Sequence, residues 1–124
     1  MKKILVVDDD IDILTVVQLV LDSNGFQVEA ISNWKHIHTR IDTFKPDLIL
    51  LDVSLGTQDG RNICKQLKSA EESKDIRIIL FSANHNVQTS VAECGADSFI
   101  SKPFDLKNLI DGINNQLTEP KGFN

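Results

Sequence analysis

Ile4-Leu5-Val6-Val7-Asp8-Asp9-Asp10 and Leu48-Ile49-Leu50-Leu51-Asp52 decide the fold of this chain. Runs this short and this apolar read as strands buried on both faces, the pattern of a parallel sheet. Both close on acid. Carboxylates at the carboxyl ends of parallel strands converge on one edge of the sheet, where open α/β folds place their sites. Crowded carboxylates repel one another unless a cation sits among them. The first expectation is an oxygen-lined divalent-cation site, with phosphoryl chemistry as its use.

Working outward from these two runs, strands and helix-periodic segments alternate to the end of the chain. Residues 3–8 read as a strand and 11–24 as a helix, with Ile13, Leu14, Val17, Val20 and Leu21 at helical spacing and Asn24-Gly25 as its stop. Residues 26–31 alternate apolar and polar, as an edge strand does. A helix over 33–43 ends before Pro46, and 47–52 is the central strand. Asp59-Gly60 marks a turn, followed by a helix over 61–70 and a strand from Ile76 ending at Ser82. A short helix over 85–94 stops at Gly95, 97–101 is the last strand and 105–118 the last helix. The segment 85–94 is rich in poor helix formers, which predicts a short, loosely held helix.

Five strand-helix repeats with right-handed crossovers predict an α/β, doubly wound, five-stranded parallel sheet with helices on both faces. A flavodoxin-like strand order of 2-1-3-4-5 makes the Asp8/Asp9 and Asp52 strands neighbours. One domain over 1–118 and a short tail over 119–124 account for all 124 residues.

The balance of 41% hydrophobic and 25% charged residues is ordinary for a globular domain. A formal net charge of -5 argues against direct nucleic-acid binding, which needs a basic field. Only four apolar residues separate Met1-Lys2-Lys3 from the first aspartates, and no stretch is long enough for a membrane span, so a cytoplasmic protein is expected. Cys64 and Cys94 lack a ligand or redox spacing and read as reduced core thiols. His36 and His38, two apart on a helix, point to different sides and read as solvent-facing. Trp34 reads as a partly covered surface aromatic, His85 as a loop residue, and Asp10 and Asp12 as helix-start acids.

The groups following the central strands are Asp8 and Asp9, Asp52, Ser82 and Lys102. Mg²⁺ prefers oxygen ligands and keeps several waters beside one or two carboxylates. A carboxylate can also take up a phosphoryl group as an acyl phosphate. The transferring group carries negative charge, which a metal and an ammonium neutralise while a hydroxyl donates to it.

Taken in order, Ile4 to Asp10, Pro46 to Asp52, Asp59-Gly60, Ser82-Ala83, Gly95-Ala96-Asp97 and Lys102-Pro103-Phe104 resemble the receiver domain of two-component response regulators, over roughly residues 2–118. The resemblance implies Asp52 as phosphoacceptor. It implies Mg²⁺, with Mn²⁺ as a possible substitute, held by Asp8, Asp9, Asp52 and the backbone carbonyl of Ser54. Ser82 fills the switch hydroxyl position, Lys102 the phosphate-contacting position with a cis bond to Pro103, and Phe99 the aromatic switch. The phosphodonor would be a sensor histidine kinase or a histidine phosphotransfer protein. Phosphorylation would then switch the face of the fourth helix, fifth strand and fifth helix toward an unidentified downstream protein. Such a protein is a monomer or a phosphorylation-linked homodimer, and no turnover enzyme on an external substrate.

The chain departs from the commonest pattern of that family at four places. Gly56 stands where the third loop usually carries Pro, which implies a freer loop. Phe99 replaces the frequent Tyr. Ser54 and Asn84 occupy the variable positions that flank the phosphate and modulate its hydrolysis. Three rivals are weighed beside this reading. Asp8-Asp9-Asp10 also matches the DxD of haloacid-dehalogenase-like phosphatases, with Asp8 as nucleophile and Asp10 as general acid, but that leaves Asp52 and Lys102-Pro103-Phe104 unexplained. A flavodoxin would need a phosphate cradle where the three aspartates stand, and a receiver-like scaffold that never takes phosphate would have no use for the acidic set.

Overall fold

The strand Leu48–Asp52 runs through the centre of the molecule with all five residues buried. The computed structural model describes residues 1–83 and 93–118. In chain order the elements are β1 (Lys3–Val7), α1 (Ile11–Ser23), β2 (Gln27–Ile31), a 3-10 turn (Trp34–His36) leading into α2 (Ile37–Phe44), and β3 (Leu48–Asp52). Two-residue strands β4 (Ser54–Leu55) and β5 (Gln58–Asp59) follow, then α3 (Gly60–Ser69), β6 (Arg77–Ser82), β7 (Ser98–Ser101) and the last helix, Leu106–Thr118.

The main sheet is parallel throughout, in the order β2-β1-β3-β6-β7. Counting only its own strands, this is the expected 2-1-3-4-5. Successive side chains on a strand point to opposite faces, and the sequence uses both. Ile4, Val6, Leu48, Leu50, Ile79 and Phe81 pack with Leu14, Val17 and Leu21 of α1 and with Leu109 and Ile113 of the last helix. Leu5, Val7, Ile49, Leu51, Ile78 and Leu80 pack on the other side with Ile37, Ile41 and Phe44 of α2 and Ile63, Cys64 and Leu67 of α3. Each fully buried Leu or Ile is worth about 1.5–3 kcal/mol of transfer free energy. The doubly wound sheet follows from that two-sided burial.

Local signals set the helix ends. The Asp10 carboxylate accepts from the N–H groups of Asp12 and Ile13 at 3.0 and 3.4 Å and caps α1, the role expected of a helix-start acid. Past its other end, Gly25 takes φ +88°. Lys45 closes α2 in the left-handed region at φ 54°, just before Pro46. At the amino edge of the sheet the Lys68 ammonium donates to the Ile76 carbonyl and to Asp97, both at 2.7 Å, and the same Asp97 oxygen accepts from the Ile78 N–H at 2.9 Å. This tie joins α3 to the starts of β6 and β7.

Three local expectations change. The helix expected over 33–43 begins as a 3-10 turn capped by the Asn33 side chain. Asp59-Gly60 is no turn: Asp59 ends β5 and caps α3, and Gly60 is the first helical residue. The turn lies at Gly56-Thr57, inside an antiparallel hairpin pairing Ser54 with Asp59 and Leu55 with Gln58. Gly56 has φ +66° and Thr57 a negative φ, as in a type II′ hairpin turn, which places glycine at its first central position. Gly56 therefore makes a defined turn, where a freer loop was expected. His36 and His38 are exposed, Trp34 is half-buried, and Cys64 and Cys94 are buried free thiols. The short helix expected over 85–94 falls almost wholly outside the described residues, as do Asn84, His85 and the tail 119–124.

Candidate functional site: an acidic pocket at the carboxyl edge

Parallel pairing of β1 with β3, Val7 opposite Leu51, brings the residues after both strands together. Asp8, Asp9 and Asp52 each offer a carboxylate oxygen within 4.8 Å of the others, with Asp8 and Asp52 buried and Asp9 exposed. β6 lies against β3 on its other side, and β7 against β6, so Ser82 ends its strand at the same edge of the sheet and Lys102 follows β7 there. The Lys102 N–H donates to the Ser82 carbonyl at 2.8 Å, fixing the strand end from which the ammonium reaches back. The Lys102–Pro103 peptide is cis.

The Lys102 ammonium lies 2.9 Å from Asp8 and 3.2 Å from Asp52. It also sits 4.6 Å above the centre of the Phe81 ring, a cation–π contact. The second Asp8 oxygen accepts from the Asp10 N–H at 2.9 Å. Asp52 is 3% exposed, so its charge is poorly solvated. Burial, and then repulsion from Asp8, push its carboxyl up to about 6, although Lys102 and the Ser54 N–H favour the ionised form. Burial opposes the charge of Lys102, but its contacts with Asp8 and Asp52 hold it above the ordinary lysine range.

Charge decides what this pocket wants. Three carboxylates face one ammonium, leaving two uncompensated negative charges when all are ionised. Such a cluster is costly in a poorly hydrated place unless a cation joins it. Hard oxygen donors of this number fit Mg²⁺, which binds through one or two carboxylates and retains waters for a further ligand. Ser54, exposed at the start of the hairpin, stands at the pocket's rim, and its N–H bonds the Asp52 carboxylate.

Among the remaining expected residues, Ser82 is buried at 7% exposure, and Phe99 is half-buried against the core on the α2/α3 side, opposite Leu80. Gly56 lies at the tip of the hairpin, outside the carboxylate cluster. Two features of the site escaped the sequence reading. Gly60 packs so closely on β3 that a Cβ there would overlap the Asp52 carbonyl oxygen and stand 3.0 Å from the Asp52 carbonyl carbon and Val53 Cα. Beside it, Asp59 caps α3 through the Arg61 N–H at 2.9 Å and is gripped by the Arg61 guanidinium at 2.9, 3.1 and 2.6 Å. A Gly between Leu55 and Thr57 was the available hairpin signal, and a Gly opening a helix beside a strand the signal for close approach.

The sequence and this geometry agree with known proteins. Residues 4–114 match the family model for the response regulator receiver domain. The chain is 38% identical over 108 residues to the alkaline phosphatase synthesis transcriptional regulatory protein PhoP of Bacillus subtilis, covering 87% of this chain and 45% of that one. It is 35% identical over 114 residues to the phosphate regulon transcriptional regulatory protein PhoB of Escherichia coli, covering 90% and 50%. It thus spans about half the length of these curated relatives. Among solved structures, a putative response regulator from Chloroflexus aurantiacus superposes with a TM-score of 0.88 at 26% identity, covering 95% of this chain and 98% of the other. A receiver domain from Bermanella marisrubri gives 0.87 at 29% identity, covering 94% and 98%. With a match over nearly its whole length, a parallel 2-1-3-4-5 sheet and an acidic pocket at that sheet's carboxyl edge, the chain belongs to the response regulator receiver domain family.

Proposed function

We propose that Asp52 is the phosphoacceptor of a two-component phosphorelay, within a domain comprising residues 1–118. One observation carries this reading: a nearly buried carboxyl held between an ammonium and two further carboxylates. With a divalent cation added, that set can hold and neutralise a phosphoryl group. In the reaction an Asp52 oxygen forms a bond to phosphorus while the bond from phosphorus to the donor's imidazole nitrogen breaks, the electron pair leaving with the imidazole. The donor is the phosphohistidine of a sensor histidine kinase or histidine phosphotransfer protein.

Asp8, Asp9, Asp52 and the Ser54 carbonyl are the proposed ligands of Mg²⁺, or of Mn²⁺ in its place. When bound, the metal supplies positive charge to the phosphoryl oxygens. Lys102 is positioned to exchange part of its contact with Asp8 and Asp52 for a phosphate oxygen, and the Ser82 hydroxyl to donate to another. The acyl phosphate carries a charge of about -2 where the carboxylate carried about -1, and it favours the conformation in which Ser82 moves to the phosphate and Phe99 follows by turning inward. The segment 85–94, β7 and the last helix then present a changed face to a downstream protein. Ser54 and Asn84 are the proposed modulators of the phosphate's lifetime. The phosphorylated protein acts by binding, as a monomer or homodimer in the cytoplasm, and carries out no turnover of an external substrate. The transcriptional roles in its relatives' names belong to those longer proteins.

The phosphatase alternative would need Asp8 as nucleophile. That assignment leaves the buried Asp52 carboxyl, which shares the Lys102 ammonium with Asp8, without a role. Incubation with Mg²⁺ and acetyl phosphate tests the choice. Wild type should take up one acyl phosphate and Asp52→Asn none; labelling lost in Asp8→Asn but kept in Asp52→Asn would reverse the assignment.

A further inference from the structure

The wall of the acidic pocket beyond Asp52 is an unusual piece of chain. Instead of running directly into α3, the residues after β3 fold into the hairpin Ser54–Leu55/Gln58–Asp59 about a two-residue turn. A two-stranded hairpin this small does not hold its shape alone. Here Leu55 anchors it in the core on the α3 side, and its open end is tied down by polar contacts. Ser54, whose N–H bonds the Asp52 carboxylate, pairs across the hairpin with Asp59. Asp59 is in turn locked to the first turn of α3 by both its N-cap bond and the Arg61 guanidinium. The Gly60 N–H closes the unit by donating to the Val53 carbonyl at 2.7 Å.

We infer that Arg61 is a positioning residue for the metal pocket: by gripping Asp59 it holds the hairpin that presents Ser54 to Asp52. This rests on the reading of the pocket as a Mg²⁺ site. The Arg61 guanidinium bonds Asp59, and Asp59 pairs across the hairpin with Ser54 beside the carboxylates. The guanidinium's rigid fork suits this task, because it fixes direction as well as distance. Groups that orient a ligand from outside the coordination shell change metal affinity by about tenfold or more when removed. One acting at one further remove, through the hairpin, should give about threefold to tenfold.

The test is calorimetric titration of Mg²⁺ into wild type, Arg61→Gln, Asp59→Asn and Arg40→Gln, with a thermal melt of each. Asparagine is as good an N-cap as aspartate, so Asp59→Asn removes the charged grip while keeping the cap. Arg40→Gln breaks a comparably exposed ion pair, Arg40–Glu29 at 3.0 Å, on the edge strand β2. Arg61→Gln and Asp59→Asn should each raise the Mg²⁺ Kd at least threefold. Their double variant should be no weaker than either, since the two act as one unit, and Arg40→Gln should match wild type. A Kd unchanged in both clamp variants, or shifted equally by Arg40→Gln, overturns the inference alone. Absence of any Mg²⁺ binding that depends on Asp52 overturns the pocket reading and the inference together. A melting point lowered without a change in Kd would reduce Arg61 to a stabilising residue and also overturn it.

Discussion

Gly60 rests directly on the backbone of Asp52: the first residue of α3 leaves no room for a Cβ beside the carbonyl of the proposed phosphoacceptor. Helix and site are therefore one rigid unit. Gly60→Ala must either lift α3 from β3 or push Asp52 out of place. A loss of about 3 kcal/mol in denaturant unfolding is expected, the upper end for overpacked positions, together with slower labelling by acetyl phosphate. Gly112→Ala is the control. There a Cβ meets Ile100 at an ordinary 3.5 Å within the last helix, so alanine should stabilise by about 0.5–1 kcal/mol through helix propensity.

The raised Asp52 carboxyl makes stability depend on pH in a definite direction. Its folded value, about 6, exceeds the ordinary 3.8, so the folded state binds the proton more tightly than the unfolded chain. That contribution is complete below the ordinary value and is lost as pH rises through about 6. Above that, metal-free protein carries a destabilising charge of at most about 3 kcal/mol, at about 1.4 kcal/mol per pKa unit. Asp52→Asn, always neutral, should be more stable than wild type at pH 7.5 without divalent metal, and the gain should vanish by pH 4. Urea unfolding with and without Mg²⁺ checks this: Mg²⁺ should stabilise wild type and leave Asp52→Asn nearly unchanged.

Lys102 answers the carboxylates from the other flank. With the ammonium removed in Lys102→Met, the pocket keeps its three carboxylates and loses a neighbouring positive charge. Attraction for Mg²⁺ should hold or grow, while the phosphate loses its proposed cationic partner. Calorimetry should give a Mg²⁺ Kd no weaker than wild type. Conformational change on adding beryllofluoride, followed by amide chemical shifts of β7 and the last helix, should be much reduced.

The opposite edge of the sheet separates stability from function. Asp97→Ala removes the carboxylate that pairs with the Lys68 ammonium, which keeps its bond to the Ile76 carbonyl, and that accepts from the Ile78 N–H, both among partly buried surroundings. Breaking one side of a buried pair costs about 3–5 kcal/mol; with Lys68 side-chain exposure at 12%, a loss near the lower end is expected. Mg²⁺ affinity, measured below the unfolding transition, should stay within twofold of wild type.

How much of this was legible in advance depends on the kind of signal each residue carries. Burial on two faces is written in composition, so Leu48 to Leu51 and Ile4 to Val7 announced parallel strands, and their order put Asp8 and Asp52 side by side. Asp10 read as a cap because carboxylates at helix starts have a simple electrostatic reason. Arg61 carried no such mark, and Gly60 only the weak one of a glycine beside a helix start. Their roles depend on which backbone atoms lie within a few ångströms once β3 and α3 have packed, and nothing in a period of 2 or 3.6 records that. Gly56 lay between: the expected missing proline suggested freedom, whereas Gly followed by Thr between Leu55 and Gln58 already had the chemistry of a two-residue hairpin.

That glycine gives the last test. Proline holds φ near -65°, whereas Gly56 sits at +66°. Gly56→Pro, although it restores the residue common in the family at this loop, cannot keep the II′ turn and should open the hairpin, at a cost of about 1–3 kcal/mol. Gly56→Asn, which tolerates positive φ better than other side chains and has open space around its Cβ, should cost about 1 kcal/mol, the low end for a side chain at positive φ. If the hairpin holds Ser54 at the pocket, Mg²⁺ affinity should fall in Gly56→Pro and survive in Gly56→Asn. Equal stability and equal affinity for the two variants would show that the turn geometry does not matter to the site.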